Sequence, residues 1–367
     1  MTIKFFRETF LIAAAGSLLA GCVGGGAGSG GGAAGGGTGG AGGGAGQSLP
    51  VTAKGRAIAF RVASDFTSGT NSYTGLPTSS HNPTSTAVVE RSARGGIEIE
   101  GSATEDTNPA PYQGNAMAPA ALISASSPDT LENGTAIAGM QDAKGSVYFE
   151  NGNFANPQAE DANAAVSTVG VYNIYDSNNQ FVEQIVMKYG TTVRYREGAT
   201  GDPNATYAVG FIGENTTSMP KKGTATYKGF YESGQSYYND NGTMKSMYFK
   251  DGTVELVADF DKGKVTGGIS GAALNGNDNG TPVDLNSNID GLAINADING
   301  SNYDGTAMLV DAAGNQVGTS SYNEAIGAFF GPDASETAAA VLIEGNADLN
   351  GSASDYVISG TLGGVKK

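Results

Sequence analysis

The stretch Thr253-Val-Glu-Leu-Val-Ala-Asp-Phe260 puts Val254, Leu256, Ala258 and Phe260 on one side of an extended chain, with Thr253, Glu255 and Asp259 on the other. A period of two with one apolar side is the mark of a half-buried β-strand, because successive side chains of a strand point to opposite faces. The alternation returns downstream. Leu292, Ile294, Ala296 and Ile298 alternate with Asn295 and Asp297, and Tyr356, Ile358, Gly360 and Leu362 make the apolar side of the last run. Candidate strands fall at 223–231, 253–260, 263–270, 290–298, 302–310, 323–330, 336–344 and 355–362. Met244–Phe249 is a further strand or part of a long loop. Asn-Gly, Asp-Gly and Gly-Asn pairs punctuate these runs, and such pairs tolerate the positive φ of tight turns. About eight strands is the number at which a sheet closes with its interior just filled by side chains. Gly229, Ala258, Gly267, Ala296, Ala307 and Gly360 interleave small residues with large ones, which suits the taper of a small barrel. Closure also removes the exposed edges that a secreted β-protein must protect. The expected fold is all-β, ending in an eight-stranded antiparallel β-barrel.

Upstream, the strand signals are less regular. Candidates are Val51–Val62, as one strand or a bent pair, Gly145–Phe149, Val169–Ile174, Phe181–Tyr189, Thr191–Arg196 and Tyr207–Ile212. The stretch from Ser64 to Asn133 is rich in Ser, Thr, Pro and Asn and reads as long loops. Ala116–Ala125 is the only helix-like run, and its prolines and serines weaken it. These features predict a smaller, loop-rich β-domain over 49–218, with a boundary near Met219–Gly223 and the barrel over 219–367.

The N-terminus reads as an address. Lys4 and Arg7 precede a short apolar stretch from Phe10 to Ala20, too short to span a bilayer but suited to a signal peptide. The stretch ends in Leu19-Ala20-Gly21-Cys22, which resembles a bacterial lipobox: small residues fit the peptidase cleft and the thiol accepts a diacylglycerol. The resemblance implies removal of residues 1–21 and acylation of Cys22. Several acyl chains are needed, because one chain alone anchors only marginally. Val23 stands where Asp would favour inner-membrane retention in such lipoproteins, which points to the outer membrane. Residues 22–48 hold Cys22 and a run of Gly with a few Ala, Ser and Thr. Gly pays the largest ordering entropy, so this is a flexible tether spanning roughly 28 Å. It is no phosphate loop, since no Gly-Lys-Ser/Thr follows it.

Composition narrows the chemistry. The chain has 20 Lys+Arg against 36 Asp+Glu, for a net charge of −16. It shows no basic cluster in sequence, which argues against nucleic acid and against anionic membrane surfaces as partners. Cys22 is the only cysteine, so no disulfide staples the fold. His81 is the only histidine and there is no Trp. A His-rich zinc site or an imidazole acid–base pair cannot be assembled from one imidazole, and His81 alone does not make a triad. No Gly-x-Ser-x-Gly stands in a strand-to-helix context, and no carboxylate pair is set in a recognisable cleft. The chain is expected to be a non-enzyme with no metal site and no cofactor.

Three motifs carry a family resemblance. Asn215-Thr-Thr-Ser-Met-Pro-Lys-Lys-Gly-Thr-Ala-Thr-Tyr-Lys-Gly229 resembles the opening of the β-barrel in transferrin-binding-protein-B-like surface lipoproteins. Val257-Ala-Asp-Phe-Asp-Lys-Gly-Lys-Val-Thr-Gly267 is similar to a hairpin of that family, as is Gly327-Ala-Phe-Phe-Gly-Pro-Asp-Ala-Ser-Glu336. Phe329 and Phe330 fall on opposite faces, one toward the core and one outward, and Pro332 stops the strand. After Glu336 this chain has Thr-Ala-Ala where relatives carry Gly-Gly, a departure that could shift a bulge. The resemblance implies a handle-like domain ahead of a single barrel, an outer-membrane lipid anchor and display at the cell surface. It does not transfer the ligand, and no stretch matches the partner-contact loops of the two-lobed transferrin receptors.

Candidate contact residues are weak by comparison. His81 sits in a polar loop, Thr78-Ser-Ser-His-Asn-Pro83. Asn275-Gly-Asn-Asp-Asn-Gly280 begins like a calcium loop but has Asn286 where a bidentate Glu is required, so it reads as a polar interstrand loop. Tyr237-Tyr-Asn-Asp240 and Tyr172-Asn-Ile-Tyr175 bring tyrosines near loops, either as contact residues or as strand-end packing. The expected function is that of an outer-membrane, outward-facing lipoprotein. It would be held to the bilayer by acylated Cys22 and bind an iron source, another solute or a macromolecular partner through its loops, Gly234–Asn241 among them. The other reading is a structural or adhesive surface lipoprotein without a soluble ligand.

Overall fold

The computed structural model describes residues 51–63, 67–70, 77–80, 88–103, 111–112, 115–116, 121–127, 148–150, 153–155, 164–169, 171–175, 181–197, 206–240, 243–278 and 281–367. Cys22, the tether and His81 lie outside the described residues. In the N-terminal half the principal strands are β1 (Val51–Ala63), β2 (Val88–Arg91), β3 (Ile97–Ala103), β4 (Ala121–Ser127), β5 (Ala164–Val169), β6 (Val171–Tyr175), β7 (Phe181–Val186), β8 (Gly190–Glu197) and β9 (Thr206–Gly213). Seven of them form one antiparallel sheet, in the order β5-β8-β9-β1-β3-β4 with β2 on β1. The remaining two, β6 and β7, pair as a separate hairpin.

The C-terminal half contains β10 (Thr224–Ser233), β11 (Tyr237–Asp240), β12 (Thr243–Asp259), β13 (Lys264–Asp278), β14 (Thr281–Asp284), β15 (Gly291–Asn299), β16 (Asn302–Val310), β17 (Thr319–Phe330), β18 (Glu336–Leu349) and β19 (Ser352–Lys366). Eight of these close an antiparallel circuit: β10 pairs β12, then β13, β15, β16, β17, β18 and β19 follow in turn, and β19 pairs β10. This is the expected barrel, and 302–310 is a strand with the bounds read from sequence. Met244–Phe249 is the first part of the long β12.

The apolar side of each strand faces the barrel interior. Leu256, Ala258, Val265, Leu292, Ile294, Tyr303, Leu309, Val341, Ile343 and Ile358 fill it, and Phe329 packs among Tyr227, Phe260 and Tyr303 at ring separations of 5.3–5.9 Å. Phe260 sits at the mouth and is only half-buried, because β12 ends one residue before it.

The outer wall over β17 to β19 is also apolar. Ile326, Ala328, Phe330, Ala338, Ala340, Leu342 and Val357, with Phe230 of β10, point away from the interior and lie beneath Ile58 and Phe60 of β1, Val209 and Phe211 of β9, and Ile174, Ile185 and Met187. Phe330 is therefore the one of the pair that points outward, yet it is fully buried. The Thr-Ala-Ala departure after Glu336 shifts no bulge. Registry runs unbroken through Phe330 opposite Glu336, Phe329 opposite Thr337 and Ala328 opposite Ala338. Small alanines here let the second sheet approach closely. Fully burying each large apolar side chain stabilises the fold by about 1.5–3 kcal/mol, so this seam is a major part of the core.

Ion pairs ring the seam. Arg56 pairs with Asp304, Glu183 with Lys228, Arg91 with Glu344 at 2.8 Å and Arg194 with Glu232 at 3.0 Å. Each exposed pair adds about 0–1 kcal/mol, so they fix registry more than they hold the sheets together. Arg91 and Arg94 also lie over the Tyr322 ring, at 3.8 and 4.6 Å.

Three expectations are corrected. The stretch from Ser64 to Asn133 is not all loop: it supplies β2, β3 and β4. Ile97 and Ile99 alternate with Glu98 and Glu100, and both isoleucines are buried. The helix-like run at 116–125 ends in β4, whose ladder to β3 outweighs the local alanine preference. Gly234–Asp240 is not a free loop, because Tyr237–Asp240 forms β11 between β12 and β19. Its apolar Tyr238 is buried in the barrel core.

The seam makes a stability prediction. A fragment of residues 219–367 exposes Phe230, Ile326, Phe330, Leu342 and Val357 together, and a contiguous apolar patch of that kind drives association. The fragment is expected to bind 8-anilinonaphthalene-1-sulfonate and to sediment as oligomers. The same fragment with Ile326, Phe330 and Leu342 changed to Ser should do neither. A monomeric fragment that binds no dye would show that the seam is not needed to cover the wall.

Candidate binding surface

The β6–β7 hairpin is the one place where the described residues expose large apolar side chains. Phe181 is 60% and Val182 46% exposed. Large apolar side chains normally face a core. Phe181 and Val182 stand at the start of β7, directly after the polar run Asp176-Ser-Asn-Asn-Gln180 in sequence.

The base of the hairpin is held firmly. Tyr172 of β6 stacks on Phe230 of β10 at 5.0 Å and 8°. Ile174, Ile185 and Met187 are buried in the seam. Glu183 forms its ion pair with Lys228 from the barrel. The exposed pair thus extends from a fixed support.

Beyond β7 the turn at 187–190 is gripped by a buried carboxylate. Glu336 Oε1 accepts from the Lys188 N–H at 2.5 Å, and Oε2 accepts from Tyr189 and Gly190 at 2.9 and 3.1 Å. Burial pushes this carboxyl up to about 7, against the opposing pull of the three N–H donors and Lys188. Gly190 and Gly213 form a slot for Phe330: a methyl group at either would lie 2.5–2.7 Å from the Phe330 ring. On the far side of the slot Gly331, at φ 71°, donates to the Glu214 carbonyl at 3.0 Å. Thr216 Oγ1 donates to the Gly331 carbonyl at 2.8 Å. Only a residue without a side chain takes that backbone conformation freely.

The other sequence candidates lie elsewhere. Tyr172 and Tyr237 pack against the seam and Tyr238 lies in the barrel core, so these tyrosines serve strand packing. Asn275–Asp278 continue β13 as a hairpin with β14 rather than forming a loop, and Asn275 is buried opposite Asp284. Among the described residues no three His, Cys, Asp or Glu are placed to hold a metal ion. Sequence reading placed a strand at Phe181–Tyr189 but gave it no contact role. The available signal was an apolar pair directly after a polar run of sequence.

The fold matches known proteins. Residues 219–366 match the family described as C-lobe and N-lobe beta barrels of Tf-binding protein B. Among solved structures, a Trp-176-Ala mutant of transferrin binding protein B from Haemophilus parasuis Hp5 aligns over 88% of this chain and 77% of its own, at 15% identity and a TM-score of 0.31. The isotype 1 protein from serogroup B Neisseria meningitidis aligns over 87% and 77%, at 12% identity and 0.28. A structure described as a surface lipoprotein aligns over 55% and 100%, at 16% identity and 0.26. No curated protein matches the chain by sequence. Residues 219–366, which close as the eight-stranded barrel of β10 to β19, are therefore a barrel of the Tf-binding-protein-B type.

Proposed function

We propose that the chain is a lipid-anchored binding protein of the outer membrane, displayed outward, which captures a protein ligand through the Phe181–Val182 hairpin. It carries out no catalysis. The observation that carries this reading is the exposed apolar pair on a fixed base. Aromatic and aliphatic anchors of this kind dominate the energetics of protein interfaces. The barrel family's name supplies the first ligand class to try, an iron-carrier protein of the transferrin type. A purely adhesive role is the other reading. In the proposed organisation residues 1–21 are the signal peptide, 22–48 the acylated Cys22 and tether, 49–218 a handle-like unit and 219–367 the barrel.

Two measurements test this. Palmitate labelling in the bacterial host should mark the wild-type chain and not Cys22→Ser, and surface display should be lost with the label. Equal labelling of both would remove the anchor at Cys22. For the ligand, the soluble chain from residue 48 is immobilised and exposed to iron-loaded transferrin. Wild type should bind. Phe181→Ser with Val182→Ser should weaken binding about 30-fold or more, the equivalent of about 2 kcal/mol for a central anchor. Both positions are exposed, so the melting temperature should be unchanged. A variant that binds as wild type places the contact elsewhere, and absence of binding by wild type favours the adhesive reading.

A further inference from the structure

The barrel separates its charges along its axis. Between Lys264 and Lys366 the chain has no Lys, Arg or His, yet it has twelve acidic residues. The nearby lysines collect at one mouth. Lys221 and Lys222 precede β10, Lys262 and Lys264 flank the β12–β13 turn, and Lys366 and Lys367 end the chain beside β19. These segments are fastened to one another: Phe260 N–H donates to the Gly223 carbonyl at 2.9 Å and Lys367 N–H to the Thr226 carbonyl at 2.9 Å. Gly223 N–H donates to Asp261 Oδ2 at 2.7 Å.

Lys262, Lys264 and Lys367 are paired with Asp259, Asp297 and Glu255. Lys366 Nζ donates to the Asp333 carbonyl at 3.2 Å. Lys221 and Lys222 are exposed, and no ion pair holds either of them among the described residues. At the opposite mouth stand Asp284, Asp290, Asp311, Asp348 and Asp355, while Lys245 there is paired with Asp240 at 2.7 Å.

The chain reaches the barrel from the lysine side. Lys54, near the start of β1, is opposite Gly213, and Gly213 packs on Phe330 at the lysine mouth. β1 therefore begins at this end.

We propose that the lysine mouth lies against the anionic lipid phosphates of the membrane that anchors the chain, turning the acidic mouth outward. This rests on the anchoring at Cys22 proposed above. The net charge of −16 does not oppose it, because at physiological salt a charge is felt over only about 8 Å. What counts is the charge of the face in contact. That face sets six lysines against Glu255, Asp259, Asp261, Asp297 and Asp333, and leaves Lys221 and Lys222 outside any ion pair among the described residues. The opposite mouth sets Lys245 against Asp240, Asp284, Asp290, Asp311, Asp348 and Asp355, which the same phosphates repel. Composition alone pointed away from anionic membranes, because these lysines are scattered in sequence and meet only when the barrel closes.

The test supplies the anchor chemically, so its failure is distinct from failure of lipidation. The chain from Cys22 onward is coupled through its thiol to a maleimide lipid in vesicles of phosphatidylcholine, with or without phosphatidylglycerol. Lysines are then acylated with a soluble N-hydroxysuccinimide ester and read by mass spectrometry. A lysine at an anionic surface gains about fivefold in partitioning. Modification of Lys221, Lys222 and Lys366 should fall by about that factor on phosphatidylglycerol vesicles. Lys250, in the barrel wall, should not change, and molar salt should restore the lost modification. In a variant carrying Lys221→Glu, Lys222→Glu and Lys366→Glu, the remaining Lys262 and Lys367 should show no protection. Equal modification of the mouth lysines on both vesicle types, or protection of Lys250 to the same degree, would overturn the proposal.

Discussion

The dipeptide Phe329-Phe330 joins two cores. A strand sends neighbouring side chains to opposite faces, so the two rings cannot share one environment. Phe329 fills the barrel between Tyr227, Phe260 and Tyr303. Phe330 enters the slot between Gly190 and Gly213 and meets Phe211 edge-on at 6.0 Å. Directly after them, Gly331 and Pro332 end the strand, and Glu336 holds the 187–190 turn by three backbone N–H groups. The second sheet, the hairpin it supports and the lysine mouth all take their positions from this corner.

Much of the barrel was legible from sequence because its strands obey a simple rule: one side faces the interior, so apolar residues recur every second position. The rule weakens where a strand is buried on both sides. In β18 Ala338, Ala340 and Leu342 face the seam while Ala339, Val341 and Ile343 face the interior. The resulting apolar run marks a strand but does not say what covers its outer face. β3 escaped for the opposite reason: its Ile-Glu-Ile-Glu alternation is short and lies in a Ser/Thr/Pro-rich stretch, so composition outweighed period. The exposed hairpin was legible only as a strand. Which of Phe181 and Ile185 finds a core depends on where the barrel wall ends, and no local pattern holds that information.

This arrangement divides labour between surfaces. The barrel interior is filled by its own side chains and the outer wall over β17 to β19 is taken by the second sheet. Neither is open to a ligand. Under the proposed function, recognition is left to the exposed surface, and the Phe181–Val182 pair is its apolar part. Because stability sits in the seam and Phe181 and Val182 are exposed outside it, the pair can vary without unfolding its support. The charges follow the same logic at longer range, with lysines gathered at one mouth and carboxylates at the other.

The central claim is that the barrel and the second sheet share one core through Phe330. Native-state hydrogen exchange of Phe330→Ala against wild type tests it most directly. A buried Phe→Ala change costs about 3–5 kcal/mol. The amides of β1 and β9 should lose protection together with those of β17 and β18, all by a similar free energy. Loss confined to the second sheet, with the barrel strands exchanging as in wild type, would show two independent cores and contradict the account.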